Sequence, residues 1–215
     1  MAASPQPDRE APALITRLAW PLGLLLICAA AITWVAHATR ERIAGNESAQ
    51  IMHALNTVLP AGSFDNHPDQ DRILVTEPKL LGSDGPLPLY RVRQGDRPVA
   101  AVITAIARQG YVGPIRLLVA LGPTGHVLAV RVMAHQETPG LGDGIDADKS
   151  AWITAFASRS LTDPDLPRWA VRRDGGQFDQ LTGTTITSRA VVNAVRDAAL
   201  YFEQHQADIL TRPPE

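Results

Sequence analysis

Four apolar runs follow one another through the middle of this chain, separated by connections too short to hold a helix. The runs read PLYRVRQ, PVAAVITAIA, PIRLLVAL and HVLAVRVMAH, within residues 88–135. They are rich in Val and Ile, which favour strands, and the links GDR, RQGYVG and GPTG carry the glycines that tight turns use. Because parallel neighbours need long crossovers, this pattern predicts an antiparallel meander. A further short strand is expected at residues 72–76.

Two helical patterns follow the strands and complete an α+β fold. Residues 147–159 are predicted to form a helix over the sheet, with Trp152, Ile153 and Phe156 as its buried face. Residues 188–210 are predicted to form the last helix. Its apolar residues recur at helical spacing and make one stripe: Val191, Val195, Ala198 and Phe202. The expected architecture is an antiparallel sheet with packed helices.

A long apolar stretch near the N-terminus determines the expected domain organisation. Residues 18–38 carry no formally charged side chain, and at about 1.5 Å per residue such a helix measures roughly 31 Å, one bilayer core. We therefore expect a transmembrane helix at 18–38, after a short N-terminus at 1–17. A juxtamembrane helix is expected at 39–62 and the functional domain at 63–215. A cleaved signal peptide is the alternative, since the stretch ends in AHA, which fits a cleavage site.

The composition narrows the classes of function. The formal charge is −2, with 20 basic and 22 acidic residues, and no basic run interleaved with aromatic residues is available to compete for phosphates of nucleic acid. A nucleic-acid partner is therefore not expected. The single cysteine, Cys28, excludes an intramolecular disulfide and a cysteine-ligated metal cluster.

The segment AHQETPGLGDGI, after the last predicted strand, is the first candidate site. His135 and Glu137 point to the same side of an extended chain, as a metal half-site or an acid/base pair would, but no third ligand stands nearby. The glycines allow a plain connecting loop, or the close approach of a planar or phosphorylated ligand. The candidate binding residues are Glu137, Thr138, Gly140, Leu141 and Gly142.

The segment LTGTTITSR, before the last helix, is the second candidate. It places five hydroxyl side chains within residues 182–188, although a helix needs one capping hydroxyl. The simple explanation is a turn at Thr182-Gly183 followed by an N-cap at Thr187 or Ser188. The alternative is a phosphate held at the positive end of the helix dipole, where Arg189 adds a charge-assisted contact.

The sequence DQLTGTTITS resembles the attachment motif of proteins that carry FMN through a phosphoester to threonine. That motif runs Asp, two free positions, Ser or Thr, Gly, Ala and the acceptor Thr. On this chain it matches Asp179, Thr182-Gly183 and the acceptor Thr185. Thr184 stands where the family usually has alanine, so the choice of Thr185 over Thr184 depends on the register of the motif.

Further segments, GYVGPIRLLVAL, VLAVRVMAHQETPGLGD and DGGQFDQLTGTTITSRAVVNAV, resemble the G subunit of the Rnf electron-transport complex. This resemblance implies a periplasmic FMN-binding domain on one inner-membrane span, with a cytoplasmic N-terminus and other membrane subunits as partners. It also implies a separate flavin transferase that esterifies Thr185. The protein would relay electrons without catalytic residues of its own, within a complex that couples electron flow to ion movement. We expect the phosphate near Thr185–Arg189 and the isoalloxazine ring near residues 137–142.

Two alternatives to this interpretation stay open. The C subunit of the sodium-translocating NADH:quinone reductase uses the same flavin attachment. A flavin-free binding module tethered to the membrane would use the threonine run as a helix cap and nothing more.

Overall fold

A computed structural model describes residues 20–22, 24–35, 52–56, 59 and 62–211. The chain divides into two compact units, Met1–Ala49 and Gln50–Glu215. In the first unit, residues 20–22 and 24–35 are helical.

Three sequence predictions concern the N-terminal third of the chain. Among the residues that the structure describes, no helix combines the length and apolar character needed to cross a membrane. The predicted tail at 1–17 and both ends of the predicted span at 18–38 lie outside the described residues. Most of the predicted helix at 39–62 lies outside them too, while residues 52–56 are helical.

The second unit contains a five-stranded antiparallel sheet whose strands pair in chain order. The strands are β1 (Arg72–Val75), β2 (Leu87–Gln94), β3 (Arg97–Ala107), β4 (Ile115–Leu121) and β5 (Val127–Ala134). The predicted meander and the short additional strand are therefore confirmed. The meander could be predicted because every connection between β2 and β5 is short, and strands joined by short connections pair with each other.

Both faces of the sheet are covered, which explains why the strands read as continuous apolar runs. Alternate residues of a strand face opposite sides. On β2, Leu89 belongs to the core that includes the last helix, while its neighbour Tyr90 packs on the other side in a cluster with Leu55. On β3, Ile103 and Val102 divide in the same way.

The last helix, Thr185–Thr211, is here called the C-terminal helix. Its predicted stripe is confirmed, since each member is fully buried: Val191, Val195, Ala198 and Phe202. The helix begins three residues earlier than the predicted start at Ser188. This shift places Thr185 in the first turn, directly beside the candidate site.

The predicted helix over residues 147–159 is wrong in type and length. Within it the structure has a 3-10 helix at Trp152–Phe156, whose Ile153 and Phe156 are buried as expected, while Trp152 is partly buried. Ser150 Oγ donates to the Gly144 carbonyl and accepts from the Trp152 N–H, and such side-chain bonds compete with α-helical pairing. Three further 3-10 helices occur at Gly142–Ile145, Leu166–Arg168 and Arg172–Asp174.

Candidate functional site

The two stretches predicted to carry chemistry meet at one cavity of about 390 Å³. The loop after β5 forms one wall and the start of the C-terminal helix forms another. The residues that line the cavity are Tyr111, Glu137, Thr138, Leu141, Gly142, Arg173, Gly183, Thr184, Thr185 and Ile186. Seven of these ten were predicted as site residues from the sequence; Tyr111, Arg173 and Ile186 were not.

Glu137 is a buried carboxylate that joins three segments at this cavity. Its side chain accepts a hydrogen bond from the Thr187 hydroxyl at 2.5 Å and another from the Val112 backbone N–H at 3.0 Å. Glu137 is 4% exposed and Thr187 is fully buried. The carboxylate therefore ties the loop after β5, the β3–β4 connection and the C-terminal helix to one another.

Two of the predicted glycines lie where a side chain would be strained, Gly142 by close packing and Gly183 mainly by its backbone conformation. A Cβ on Gly142 would lie 2.8 Å from Glu137 Cβ, closer than side-chain atoms approach one another. Gly183 has a φ of +80°, and a Cβ there would lie 3.2 Å from Leu141 Cδ1. The loop and the turn before the helix thus fit against each other where side chains are absent.

The loop after β5 is closed by its own backbone. The Thr138 carbonyl accepts hydrogen bonds from the N–H groups of Leu141 and Gly142, at 3.2 and 2.9 Å. Gly140 supplies the positive φ, +75°, that the turn needs. Gly140 does not line the cavity, whereas Thr138 and the half-exposed Leu141 do.

His135 is engaged in holding this loop. Its Nδ1 accepts a bond from the Glu137 backbone N–H at 3.0 Å, so the ring proton lies on Nε2, which is 3.1 Å from Asp146 Oδ2. The ring therefore contacts the backbone of Glu137 and not its carboxylate. Among the described residues, no group of three or more His, Cys, Asp or Glu side chains is placed to hold a metal ion.

The predicted N-cap at Thr187 or Ser188 is wrong, because both residues lie inside the first turn of the helix and are fully buried. Thr187 donates to Glu137, and Ser188 Oγ accepts the Leu181 N–H at 3.1 Å. The Ser188 N–H bonds the Thr184 carbonyl at 3.0 Å. Within the described residues, the three N–H groups before it, at positions 185–187, have no hydrogen-bond partner.

Thr184 and Thr185 differ in their exposure and in the hydrogen bonds of their hydroxyl groups. Thr184 is 7% exposed, and its hydroxyl donates to the Leu181 carbonyl at 3.3 Å. Thr185 is half-buried and lines the cavity, and its hydroxyl bonds to no other residue in the part of the chain that the structure describes. Thr182 lies exposed in the turn, outside the cavity lining.

Two predicted site residues point elsewhere, and each forms an ion pair. Asp179 Oδ1 lies 3.0 Å from Arg172 Nε at the surface. Arg189 donates two bonds to Asp174, at 2.5 and 2.8 Å. These bonds hold the pKa of the Asp174 carboxyl below its usual value and raise the pKa of Arg189. Arg189 does not line the cavity.

Arg173 is the one basic residue among the described residues that line the cavity. It lies in the 3-10 helix Arg172–Asp174, twelve positions before Thr185 in a segment with no recognisable binding pattern. Sequence reasoning missed it because its approach to the cavity depends on tertiary contacts.

Comparison with known proteins first defines the class of this domain. The FMN-binding domain family matches residues 110–200, a range that includes every residue lining the cavity. The chain therefore contains an FMN-binding domain, as the sequence predicted.

Comparison with whole proteins then defines the family. The G subunit of the ion-translocating oxidoreductase complex of Shewanella loihica is 44% identical over 193 residues, which cover 89% of this chain and 91% of that protein. The protein of the same name from Pseudomonas aeruginosa UCBPP-PA14 is 44% identical over 190 residues, 88% of this chain and 89% of that protein. The crystal structure of Shewanella oneidensis NqrC aligns with a TM-score of 0.47 and 21% identity, over 63% of this chain and 68% of that one.

The chain belongs to the family formed by the G subunits of ion-translocating oxidoreductase complexes. The family predicted from the sequence is thereby confirmed, and with it the prediction of a redox subunit within an ion-translocating oxidoreductase complex.

Proposed function

We propose that this protein carries electrons in an Rnf-type complex through FMN joined to Thr185 by a phosphoester. The observation that carries the proposal is the difference between the two adjacent threonines. Both line the cavity, but Thr185 is half-buried and its hydroxyl has no partner among the described residues, whereas Thr184 is 7% exposed and its hydroxyl is bonded to the Leu181 carbonyl. An acceptor hydroxyl has to be accessible, so the geometry favours the register in which Thr185 is modified.

The cavity has the features that FMN requires at both of its ends. At the helix start, the N–H groups at 185–187 are unpaired and the helix dipole favours negative charge, as a phosphate needs. Around the opening, Tyr111, Leu141 and Ile186 expose apolar surface, at 68%, 49% and 47%, which suits an aromatic ring. The volume of about 390 Å³ lies within the range of small-molecule sites.

FMN, when bound, supplies the redox chemistry, and the protein's residues hold and orient it. Glu137 and Thr187 keep the loop and the helix start together, and Leu141 and Ile186 offer apolar surface to the ring. With Glu137 already bonded to Val112 and Thr187, the lining offers Thr185 no free carboxylate as a base. Activation of the hydroxyl therefore falls to the flavin transferase.

In the attachment reaction, this protein supplies the acceptor hydroxyl and the flavin transferase supplies the catalysis. The transferase breaks the phosphoanhydride of FAD, forms the bond from Thr185 Oγ to phosphorus and releases AMP, while the hydroxyl proton is lost to solvent or to the transferase. A covalent bond suits a carrier outside the cytoplasm, where a dissociated FMN would be lost.

We further propose that residues 18–38 anchor the protein in the inner membrane, with the FMN-binding domain in the periplasm and the N-terminus in the cytoplasm. Its partners are then membrane lipid and the other membrane subunits of the complex. The names of the relatives, which describe one subunit of a larger complex, support such partners. The same names favour this function over the C subunit of the sodium-translocating NADH:quinone reductase, and the FMN-binding domain favours it over a flavin-free module.

In-gel fluorescence under ultraviolet light tests the proposal. The full chain is expressed with a flavin transferase, denatured and separated beside Thr185→Val and Thr184→Val. We expect fluorescent bands for wild type and Thr184→Val and a dark band for Thr185→Val. A dark wild-type band, next to a fluorescent flavoprotein standard, would contradict covalent attachment. Co-purification of the other membrane subunits tests the assignment to the complex.

A further inference from the structure

Arg172, Arg173 and Asp174 are consecutive, yet they differ in what they contact. Arg172 pairs with Asp179, and Asp174 accepts both bonds from Arg189. Between them, the guanidinium of Arg173 makes no hydrogen bond or ion pair with any residue that the structure describes, although it lines the cavity. Arg189 and, to a smaller extent, the charge of Arg173 lower the pKa of Asp174, but the side-chain N–H groups of Arg173 are not used in a hydrogen bond to any described residue and can bind an anion.

The two flanking ion pairs determine where Arg173 lies. Arg189 is four residues after Thr185, so both residues occupy one face of the C-terminal helix. The bidentate Arg189–Asp174 pair therefore joins the 3-10 helix that contains Arg173 to the start of the C-terminal helix, where Thr185 lies. The Arg173 backbone N–H also contacts Gln180 Oε1 at 3.4 Å.

The charges of the residues that line the cavity also support an anion site at Arg173. Among the described lining residues, Glu137 is acidic, Arg173 is basic and the others are uncharged. A phosphate that joins threonine to riboflavin is a diester and keeps one negative charge. Placed near a buried carboxylate, this charge needs a cation, and a guanidinium matches the geometry of phosphate oxygens.

We propose that Arg173 binds the phosphate of FMN at Thr185 and gives the site its preference for phosphorylated flavin; this inference rests on the function proposed above. Arg189 and Asp174 act through Arg173 as positioning residues. The cation at this site is thus Arg173, which is outside the attachment motif, and not Arg189, which follows it directly.

A flavin titration separates phosphate recognition from ring recognition. The full chain with Thr185→Val, which cannot form the ester, is titrated in detergent with FMN and with riboflavin. We expect tighter binding of FMN, and at least a tenfold loss of FMN affinity when Arg173→Gln is added, with riboflavin affinity unchanged. Arg173→Lys should keep part of the preference. An unchanged ratio of FMN to riboflavin affinity in Arg173→Gln would overturn the proposal.

Arg168→Gln is the matched control, because it removes the same charge from an exposed residue five positions earlier in the chain that does not line the cavity. It should leave both affinities at the Thr185→Val values. An equal loss of FMN affinity in Arg168→Gln would mean that general charge, and not a contact from Arg173, attracts the phosphate.

Phosphorus NMR of the covalently loaded protein gives a second measurement at the phosphate itself. We expect the diester resonance to move in Arg173→Gln and to stay in place in Arg168→Gln; an unmoved resonance in Arg173→Gln would overturn the proposal. If Thr185→Val binds neither flavin, the proposal is tested by the phosphorus resonance. If Arg173→Gln does not become loaded with covalent flavin, the proposal is tested by the titration. Failure of the function proposed above is distinguishable, because wild-type protein would then carry no covalent flavin.

Discussion

The Thr187 hydroxyl donates a 2.5 Å hydrogen bond to Glu137, a residue fifty positions earlier in the chain. Both side chains are buried. This contact joins the loop after β5 to the first turn of the C-terminal helix, and so it holds together the two sides of the proposed FMN site.

Removing that hydroxyl should destabilise the protein. Thr187→Val preserves the shape of the side chain but leaves one oxygen of the buried Glu137 carboxylate without its donor, which typically costs about 1–3 kcal/mol. We expect a lower free energy of unfolding in urea, measured on the full chain in detergent. Thr187→Ser keeps the hydroxyl and is the control. Equal stability of Thr187→Val and wild type would show that the bond contributes nothing.

A side chain at position 142 should distort the loop. Gly142→Ala places a Cβ 2.8 Å from Glu137 Cβ, so the loop or the carboxylate has to move. We expect a loss of about 1–3 kcal/mol in stability, as for other overpacked sites, together with a lower yield of covalent flavin. Gly85→Ala serves as control, since its nearest neighbour there is a side-chain oxygen at 3.8 Å. Normal stability and flavin yield in Gly142→Ala would contradict the packing described above.

The Arg189–Asp174 pair should contribute stability that depends on pH. Arg189 lowers the pKa of Asp174 in the folded protein, so the unfolded chain takes up a proton at higher pH than the folded one. The contribution is therefore present above the ordinary aspartate pKa of about 3.9 and is lost as the pH falls through the lower folded value.

The measurement compares thermal unfolding of wild type and Asp174→Asn across this range. The difference in melting temperature should be small, because the pair is exposed, and should shrink towards zero below pH about 4 and in high salt. Asp165→Asn is the control, since the Asp165 side chain makes no capping hydrogen bond. A difference that grows as the pH falls would contradict the assigned direction.

What the sequence could predict depended on the range of the interactions involved. The strands from β2 to β5 were predictable because short links and apolar composition act between neighbours along the chain. The helical start at Thr185 was not, because the hydroxyls expected to cap the helix bond to Glu137 and Leu181 instead. The helix expected at 147–159 was prevented by local side-chain bonds of Ser150 that periodicity does not report.

Some residues of the candidate site could likewise be predicted from local sequence patterns, and others could not. The motif located Thr185, Gly183 and their neighbours, and the glycine pattern located the loop near Leu141, so both sides of the cavity were predictable. Arg173 was missed, because its place at the cavity is determined by the ion pairs of its two neighbours. Those same pairs occupy Asp179 and Arg189, for which the sequence suggested a place at the flavin.

Mass spectrometry of a single peptide tests the central claim most directly. Trypsin cleaves after Arg173 and Arg189 and releases residues 174–189, which contain four threonines and Ser188. From protein produced with a flavin transferase, we predict that this peptide carries FMN and that backbone fragmentation places it on Thr185. A peptide modified at Thr184, or one that carries no flavin while a loaded standard does, would contradict the account.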